Sequence, residues 1–320
     1  MKKLLLLLLI LSCAATAFLY DYIIKTPVAV SEDTLFMVQK GDSLNKIART
    51  LKENKLIRNE FEFILYSKIN KIYPKIKAGE YLVSENISLE QLADKLTSGK
   101  VYLRKITFPE GITATEVVNL LQNNEFLSQD ETVEIQTPAE GSILPETYTF
   151  SRGDKPGKII SQAQKSLQDT LEQAWIERDD DLPLKTKEEL LILASIVEKE
   201  TGVGMERAQV ASVFVNRLRL GMLLQTDPTV IYAVTQGKEE LKRPLTRKDL
   251  EIDSRYNTYK YAGLPPTPIC NPGKEAIFAA AHPAQTPYLY FVASGNGGHN
   301  FAKTLSEHNE NVRKWRSLNK

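Results

Sequence analysis

The sequence predicts an α+β chain in three parts: an N-terminal apolar helix, a small unit of strands and capped helices, and a larger, mainly helical part carrying one β-hairpin. Three observations predict it. Two lysines at the N-terminus are followed by an uncharged apolar run. Between residues 34 and 121, β-rich runs alternate with segments whose apolar residues recur at i, i+3, i+4 and i+7. From Lys158 onward helical patterns dominate, until a strand–turn–strand pattern begins at Tyr288. The 320 residues are 42% hydrophobic and 25% charged, enough for two or three packed units. A formal net charge of +1, with no basic stripe among aromatics, argues against a nucleic-acid partner.

The apolar run extends for 17 residues from Leu4 to Tyr20, near the lower limit for a helix that spans a bilayer. Lys2 and Lys3 precede it, so the positive-inside bias puts the short N-terminus in the cytoplasm and the rest outside. Ala14-Ala15-Thr16-Ala17 offers the small residues of a cleaved signal peptide, and Ile10-Leu11-Ser12-Cys13 offers a lipidation site. All three readings export the body of the chain. Cys13 lies in the apolar run, so no bridge to Cys270 is expected and the exported body relies on its core. His282, His299 and His308 form no helical two-histidine motif, so no metal or cofactor is expected.

Three segments then share one local design. Ser43, Ser88 and Thr113 each precede an apolar helical face: Leu44, Ile47, Ala48, Leu51; Leu89, Leu92, Ala93, Leu96; and Ala114, Val117, Val118, Leu121. A hydroxyl at the N-cap accepts a hydrogen bond from an unpaired N–H of the first turn. Gln91 and Glu116 complete capping boxes with Ser88 and Thr113. Strands are expected at Thr34–Val38 and Val101–Phe108. Residues 125–160 read as a transition, in which the turn-rich stretch 140–148 suits a loop at a cleft edge. A long helix follows from Lys158 to Ile176, then an acidic loop at Asp179–Pro183. Thr186, with Glu189, caps a helix that runs through Glu200. Arg207–Leu220 is a helix stopped by Gly221. Asp227-Pro228 opens a helix that ends near Gly237, and Thr246 with Asp249 opens a short one. Asn271-Pro272 opens an alanine-rich helix. A hairpin over residues 288–304 and a last helix from Leu305 complete the chain.

The helix ending at Glu200 carries the most information about chemistry. With residues placed at 100° intervals, Glu200 falls about 40° from the direction of its apolar side chains, and Glu198 about 120° away. Glu200 is therefore expected on the buried face and Glu198 in solvent. A carboxyl in apolar surroundings resists ionising and is able to protonate a leaving oxygen near neutral pH. The same pattern also fits an ion pair with Arg207 or Arg217.

Several motifs add to this pattern. Residues 194–201 (Ala-Ser-Ile-Val-Glu-Lys-Glu-Thr), 211–218 (Ala-Ser-Val-Phe-Val-Asn-Arg-Leu) and 224–232 (Leu-Gln-Thr-Asp-Pro-Thr-Val-Ile-Tyr) resemble the signature of the MltG (YceG-like) endolytic murein transglycosylases. Tyr256-Asn257-Thr258-Tyr259, Gly263-Leu264-Pro265-Pro266, Ala280-Ala281-His282-Pro283 and Gly298-His299-Asn300-Phe301 continue the match, which runs from about residue 30 to the end. Phe36 to Leu44, with Ile47-Ala48, resembles the opening of a LysM module, a βααβ unit that binds N-acetylglucosamine-containing glycans; a purely structural role is the alternative there. The resemblance implies three segments: a cytoplasmic stub and transmembrane anchor (1–22), a LysM-like subdomain (23–104) and a goose-lysozyme-like catalytic domain (105–320). It implies single-pass residence in the bacterial cytoplasmic membrane with the catalytic domain extracytoplasmic, glycan strands of peptidoglycan as substrate, and peptidoglycan synthases as partners.

The resemblance also implies that Glu200, followed by the small hydroxyl residue Thr201, cuts the bond after N-acetylmuramic acid as acid and then base. A 1,6-anhydro ring closes without water, so no second carboxylate is needed. The other motif residues read as cleft walls. Gln225, Asn257 and Asn300 offer amides to sugar hydroxyls and acetamido groups, and Tyr148, Tyr232 and Tyr259 offer rings to sugar faces. Asp227 reads as substrate-binding or as the cap of its helix. His299 reads as a substrate contact or as a brace of the hairpin. The rival functions are a two-carboxylate hydrolase using Glu206 or Asp227, and a non-catalytic glycan-binding scaffold.

Overall fold

The computed structural model describes residues 2–28, 32–128 and 135–318; residues 129–134 of the expected transition lie outside them. The chain has mixed helix and sheet content and divides into two compact units, one of residues 1–104 with 150–152, the other of residues 105–149 with 153–320.

The first unit begins with α1 (Lys2–Lys25), which is long and apolar enough to cross a membrane. Leu4 to Leu11 are all exposed. Next come β1 (Thr34–Val38), α2 (Leu44–Glu53), α3 (Glu60–Ile69), a single 3-10 turn at Tyr73–Lys75, and β2 (Gly79–Val83). β1 and β2 pair antiparallel with Phe36 opposite Tyr81. Their inward residues pack on Ile47, Ala48, Leu51 and Phe63. α4 (Leu89–Ser98) adds Leu92, Ala93 and Leu96 to the same core. Ser43 caps α2 by accepting from Lys46 N, and both bonds of the Ser88–Gln91 box are present. The sequence did not reveal α3, because Glu60-Phe61-Glu62-Phe63 alternates like a strand; Asn59 caps it, and burial at Phe63, Tyr66 and Ser67 follows the helical period.

The second unit opens with β3 (Arg104–Thr107) and α5 (Ala114–Gln122), which has the full Thr113–Glu116 capping box. β3 pairs with β4 (Thr147–Phe150). The helical body consists of α6 (Pro156–Glu177), α7 (Lys187–Glu200), α8 (Arg207–Arg219), α9 (Asp227–Thr235) and α10 (Lys274–Ala281). The hairpin is β5 (Tyr290–Ala293) with β6 (His299–Ala302), where Phe291 faces Phe301, and α11 (Leu305–Leu318) follows.

α7 is the centre of this unit. Leu190 through Val197 are buried without a break, so the helix is covered on every side. Alanines 276, 280 and 281 of α10 let its backbone approach α7 closely. Ser195 on α7 donates to Ile192 O (2.7 Å) and accepts from Ile269 N (3.1 Å), tying the segment before α10 to α7.

Several local expectations are revised. Thr186 caps α7, yet the Glu189 carboxylate accepts from Lys185 N, one residue before the cap. α9 ends in a left-handed Gln236, one residue before Gly237. Asn271 does not open α10, whose cap is Gly273. It is instead fully buried; its side chain accepts from Ile143 N (2.9 Å) and donates to Ile112 O (2.8 Å). Asn271→Ala should leave the Ile143 N–H orphaned in the core, while Ile112 O keeps the Asn271 backbone N–H, and should destabilise the unit by about 2 kcal/mol, measurable as a lower urea midpoint.

Candidate active site

Glu200 is the last residue of α7 because Thr201 leaves the helix with extended dihedrals (φ −143°, ψ 127°). The Thr201 hydroxyl accepts from Val203 N (3.0 Å) and holds that exit. The helix end opens into a cleft of about 380 Å³, whose walls include Glu200, Arg217, Gln225, Asp227, Tyr259 and Tyr290.

The wall opposite the helix end comes from the segment before α9. Its backbone is held by a buried hydroxyl network: Thr258 accepts from Thr226 N (3.1 Å), and Thr229 bonds both Thr258 (2.8 Å) and Thr226 O (2.8 Å). Gln225 sits at φ 48°, a left-handed conformation that costs a non-glycine residue about 1 kcal/mol, and its N–H donates to Thr258 O. Such strain persists where the surroundings impose it, often beside a site.

Thr226 stands at the cap of α9, but its side chain makes no capping bond. Its hydroxyl donates to Glu200 Oε1 instead. Glu200 forms no ion pair among the described residues. Burial drives its carboxyl pKa upward and the Asp227 carboxylate adds to that, while the Thr226 hydroxyl, His299 and Arg217 oppose it. The net direction is up, toward a neutral, proton-donating carboxyl.

The expectation for Glu198 is overturned. Its side chain is 5% exposed, lies 3.6 Å from Arg207 and accepts from Gly273 N at 2.8 Å. A two-faced helix would have turned it to solvent; here Arg207 and the Gly273 backbone cover it, and the neighbouring Lys199 takes the exposed position. The ion pair considered for Glu200 therefore forms at Glu198, with Arg207.

Of the wall residues expected from sequence, Gln225, Asp227 and Tyr259 line the cleft with Glu200. Asp227 is the first residue of α9 rather than its cap, and its Oδ1 accepts from the Tyr259 hydroxyl at 2.7 Å. The other five do not line the cleft. Asn257 is 0% exposed; its amide donates to Leu250 O and Ile252 O and accepts from Tyr259 N, so it braces the loop under Tyr259. Tyr148 is buried against Phe108 and donates to Leu144 O, which makes it a core residue. Tyr232 packs on Tyr256 (4.9 Å) and borders a separate hollow, beside Glu140, whose carboxyl burial pushes up to about 7. Asn300 pairs with Val292 in the hairpin and is half-buried. His299 is held by Glu206 through both its Nδ1 (2.7 Å) and its backbone N–H (3.0 Å), which braces the hairpin.

Arg217, Tyr290 and His308 also line the cleft, and Thr226 touches Glu200; the sequence reading placed none of them in the cleft wall and weighed Arg217 only as an ion-pair partner of Glu200. Arg217 and Thr226 lie within motifs already quoted. Tyr290 and His308 are brought in only by the packing of β5 and α11.

The model of the YceG-like family matches residues 36–314. The chain belongs to the YceG-like family. Within it, the chain is 36% identical over 332 aligned positions to the endolytic murein transglycosylase of Bacillus subtilis strain 168, covering 93% of this chain and 90% of that one. It is 29% identical to the endolytic murein transglycosylase of Streptococcus pneumoniae D39, covering 96% of this chain and 63% of the longer relative. A crystal structure of a YceG-like protein from Listeria monocytogenes aligns with a TM-score of 0.50 at 33% identity, over 88% of this chain and 99% of that one.

Two measurements check the electrostatics of this YceG-like cleft. Carbon-13 NMR of the glutamate carboxyls should find Glu200 titrating above the usual carboxylate range, and higher still in Thr226→Val, which removes the hydroxyl that favours the anion. A raised folded-state pKa stabilises the fold fully below the unfolded glutamate pKa, and that stability is lost as pH rises through the folded pKa. Glu200→Gln should therefore gain stability over wild type as pH rises from 5 to 8, read as a growing difference in urea midpoint.

Proposed function

We infer that this chain is an endolytic murein transglycosylase, a lyase that cuts peptidoglycan glycan strands, with Glu200 as its acid. The observation that carries the chemistry is the Glu200 carboxyl at a cleft-facing helix end, bonded by a neutral hydroxyl and free of any ion pair among the described residues. The names of the B. subtilis and S. pneumoniae relatives support the substrate.

In this reading neutral Glu200 protonates the β-1,4 oxygen between N-acetylmuramic acid and N-acetylglucosamine. Positive charge develops at the anomeric carbon, and the acetamido group assists. The carboxylate so formed then takes the proton of the C6 hydroxyl as that oxygen closes a 1,6-anhydro ring. The Thr226 hydroxyl and the nearby positive charge of Arg217 suit both stages, because they limit the cost of the transient carboxylate. Gln225, Asp227 and Tyr259 line the path for the strand, with His299 and Asn300 on the adjoining hairpin.

The order β1, α2, α3, β2 with antiparallel outer strands supports a LysM-like subdomain within residues 23–104 that holds glycan. The length and apolarity of α1 support a transmembrane anchor over residues 1–22, with the goose-lysozyme-like catalytic domain, residues 105–320, outside the bacterial cytoplasmic membrane. There the enzyme would meet nascent strands and the synthases that make them, and its cuts would end strand elongation.

A hydrolase is the second reading, favoured by one observation: Asp227, a second carboxylate, lines the same cleft. Glu206 fits that role less well, since His299 and its backbone N–H occupy both of its oxygens. Mass spectrometry of digested uncrosslinked strands separates the two, because hydrolysis adds a water. Wild type should leave anhydro ends, and Glu200→Gln should lose at least about a thousandfold in rate while keeping its fold. Reducing ends alone would overturn the lyase, and undiminished cleavage by Glu200→Gln would remove Glu200 from the acid role.

A further inference from the structure

The cleft contains a buried cation without a counter-ion. Arg217 is 8% exposed, and its guanidinium forms no ion pair among the described residues. Its Nε donates to Leu289 O (2.7 Å), and its Nη1 donates to Leu224 O (2.7 Å) and Leu223 O (3.4 Å). Its Nη2 donates to no described residue. The two cleft carboxyls do not neutralise it by direct contact: Glu200 is bonded by Thr226 and Asp227 by Tyr259. A buried charge without a partner is costly and is rarely retained without a use.

A second unsatisfied group belongs to the same stack. The Arg217 guanidinium lies 5.3 Å from the centroid of the Tyr290 ring, and the His308 ring stacks on Tyr290 at 5.3 Å and 26°. All three residues line the cleft. The Nδ1 of His308 is buried and has no hydrogen-bond partner. A cation without an ion pair and a ring with an unbonded nitrogen, each 5.3 Å from the Tyr290 ring, suit an acidic group of a ligand.

We propose that Arg217, Tyr290 and His308 form a carboxylate-binding subsite of the cleft, through which the enzyme reads an acidic group on the glycan strand. This rests on the murein reading of the Glu200 cleft and deepens it to a class of strand. Murein offers that chemistry from two sources. One is the lactyl carboxylate of N-acetylmuramic acid, which is free only where the stem peptide has been removed. The other is a carboxylate of the stem peptide itself.

Calorimetry on full-length Glu200→Gln in detergent micelles tests the subsite without turnover. Four ligands are titrated: peptide-free murein oligosaccharide, its lactyl methyl ester, the peptide-bearing strand, and that strand with its carboxyls esterified. Esterification should weaken binding roughly tenfold within one pair, in line with the loss of a charge-assisted hydrogen bond. A loss confined to the peptide-free pair assigns the lactyl group, and a loss confined to the peptide-bearing pair assigns the stem. Unchanged affinity in both pairs, or no binding of any ligand, overturns the subsite. Cleavage of the unesterified strands by wild type is measured alongside. Ester discrimination without any cleavage would sink the murein-cleaving reading and keep the subsite; cleavage without discrimination would do the reverse. Arg217→Gln should abolish the ester effect. The ligand arms decide the matter even if that variant misfolds through loss of its carbonyl contacts.

Discussion

Burial of α7 on all sides governs the second unit. A helix with an unbroken apolar run from Leu190 to Val197 must be covered by neighbours, and α6, α8, α9 and α10 supply the cover. Its C-terminal residue then emerges from the core at a cleft, carrying a carboxyl that has lost most of its water. The chemistry proposed for Glu200 follows from that desolvation more than from any partner. The hydroxyl of Thr226 limits the penalty without supplying a positive charge, and the carboxyl pKa stays raised.

The surroundings of the cleft divide into groups that hold the backbone and groups that face the void. Thr226, Thr229, Thr258 and Asn257 form a buried polar network that holds Gln225 in its left-handed conformation and supports Tyr259. Arg217 does both: its Nε and Nη1 brace the backbone at Leu289 and Leu224, and its Nη2 bonds no described residue. Glu206 clamps the hairpin through His299, one carboxylate oxygen on its backbone N–H and the other on its Nδ1. The site thus depends on interactions between segments far apart in the chain, which explains why single motifs describe it incompletely.

Much of the fold was legible locally. Ser43, Ser88, Thr113 and Thr186 announce their helices, because a capping hydroxyl and an i, i+3, i+4 face need only a few neighbouring residues. α3, β2 and β4 were not legible: α3 alternates like a strand, and the other two acquire their extended form by pairing with distant partners. Asn257 and Tyr148 carry side chains suited to sugars, and only burial reveals that both are framework. Asn271 next to Pro272 reads as a cap, yet packing converts it into a pin between remote loops.

Glu200 was chosen from sequence by helical phase, by its position at the end of an apolar helix and by motif resemblance, and all three are properties of contiguous residues. The sequence by itself determined the helix, its end and the class of chemistry. Tertiary structure alone decided that Glu198 is an ion-paired framework group, that a threonine 26 positions away bonds the Glu200 carboxyl, and that Arg217 faces the same cleft. The reason is physical: the protonation and partners of a buried group depend on what surrounds it in space, and those neighbours come from segments whose meeting no local pattern encodes.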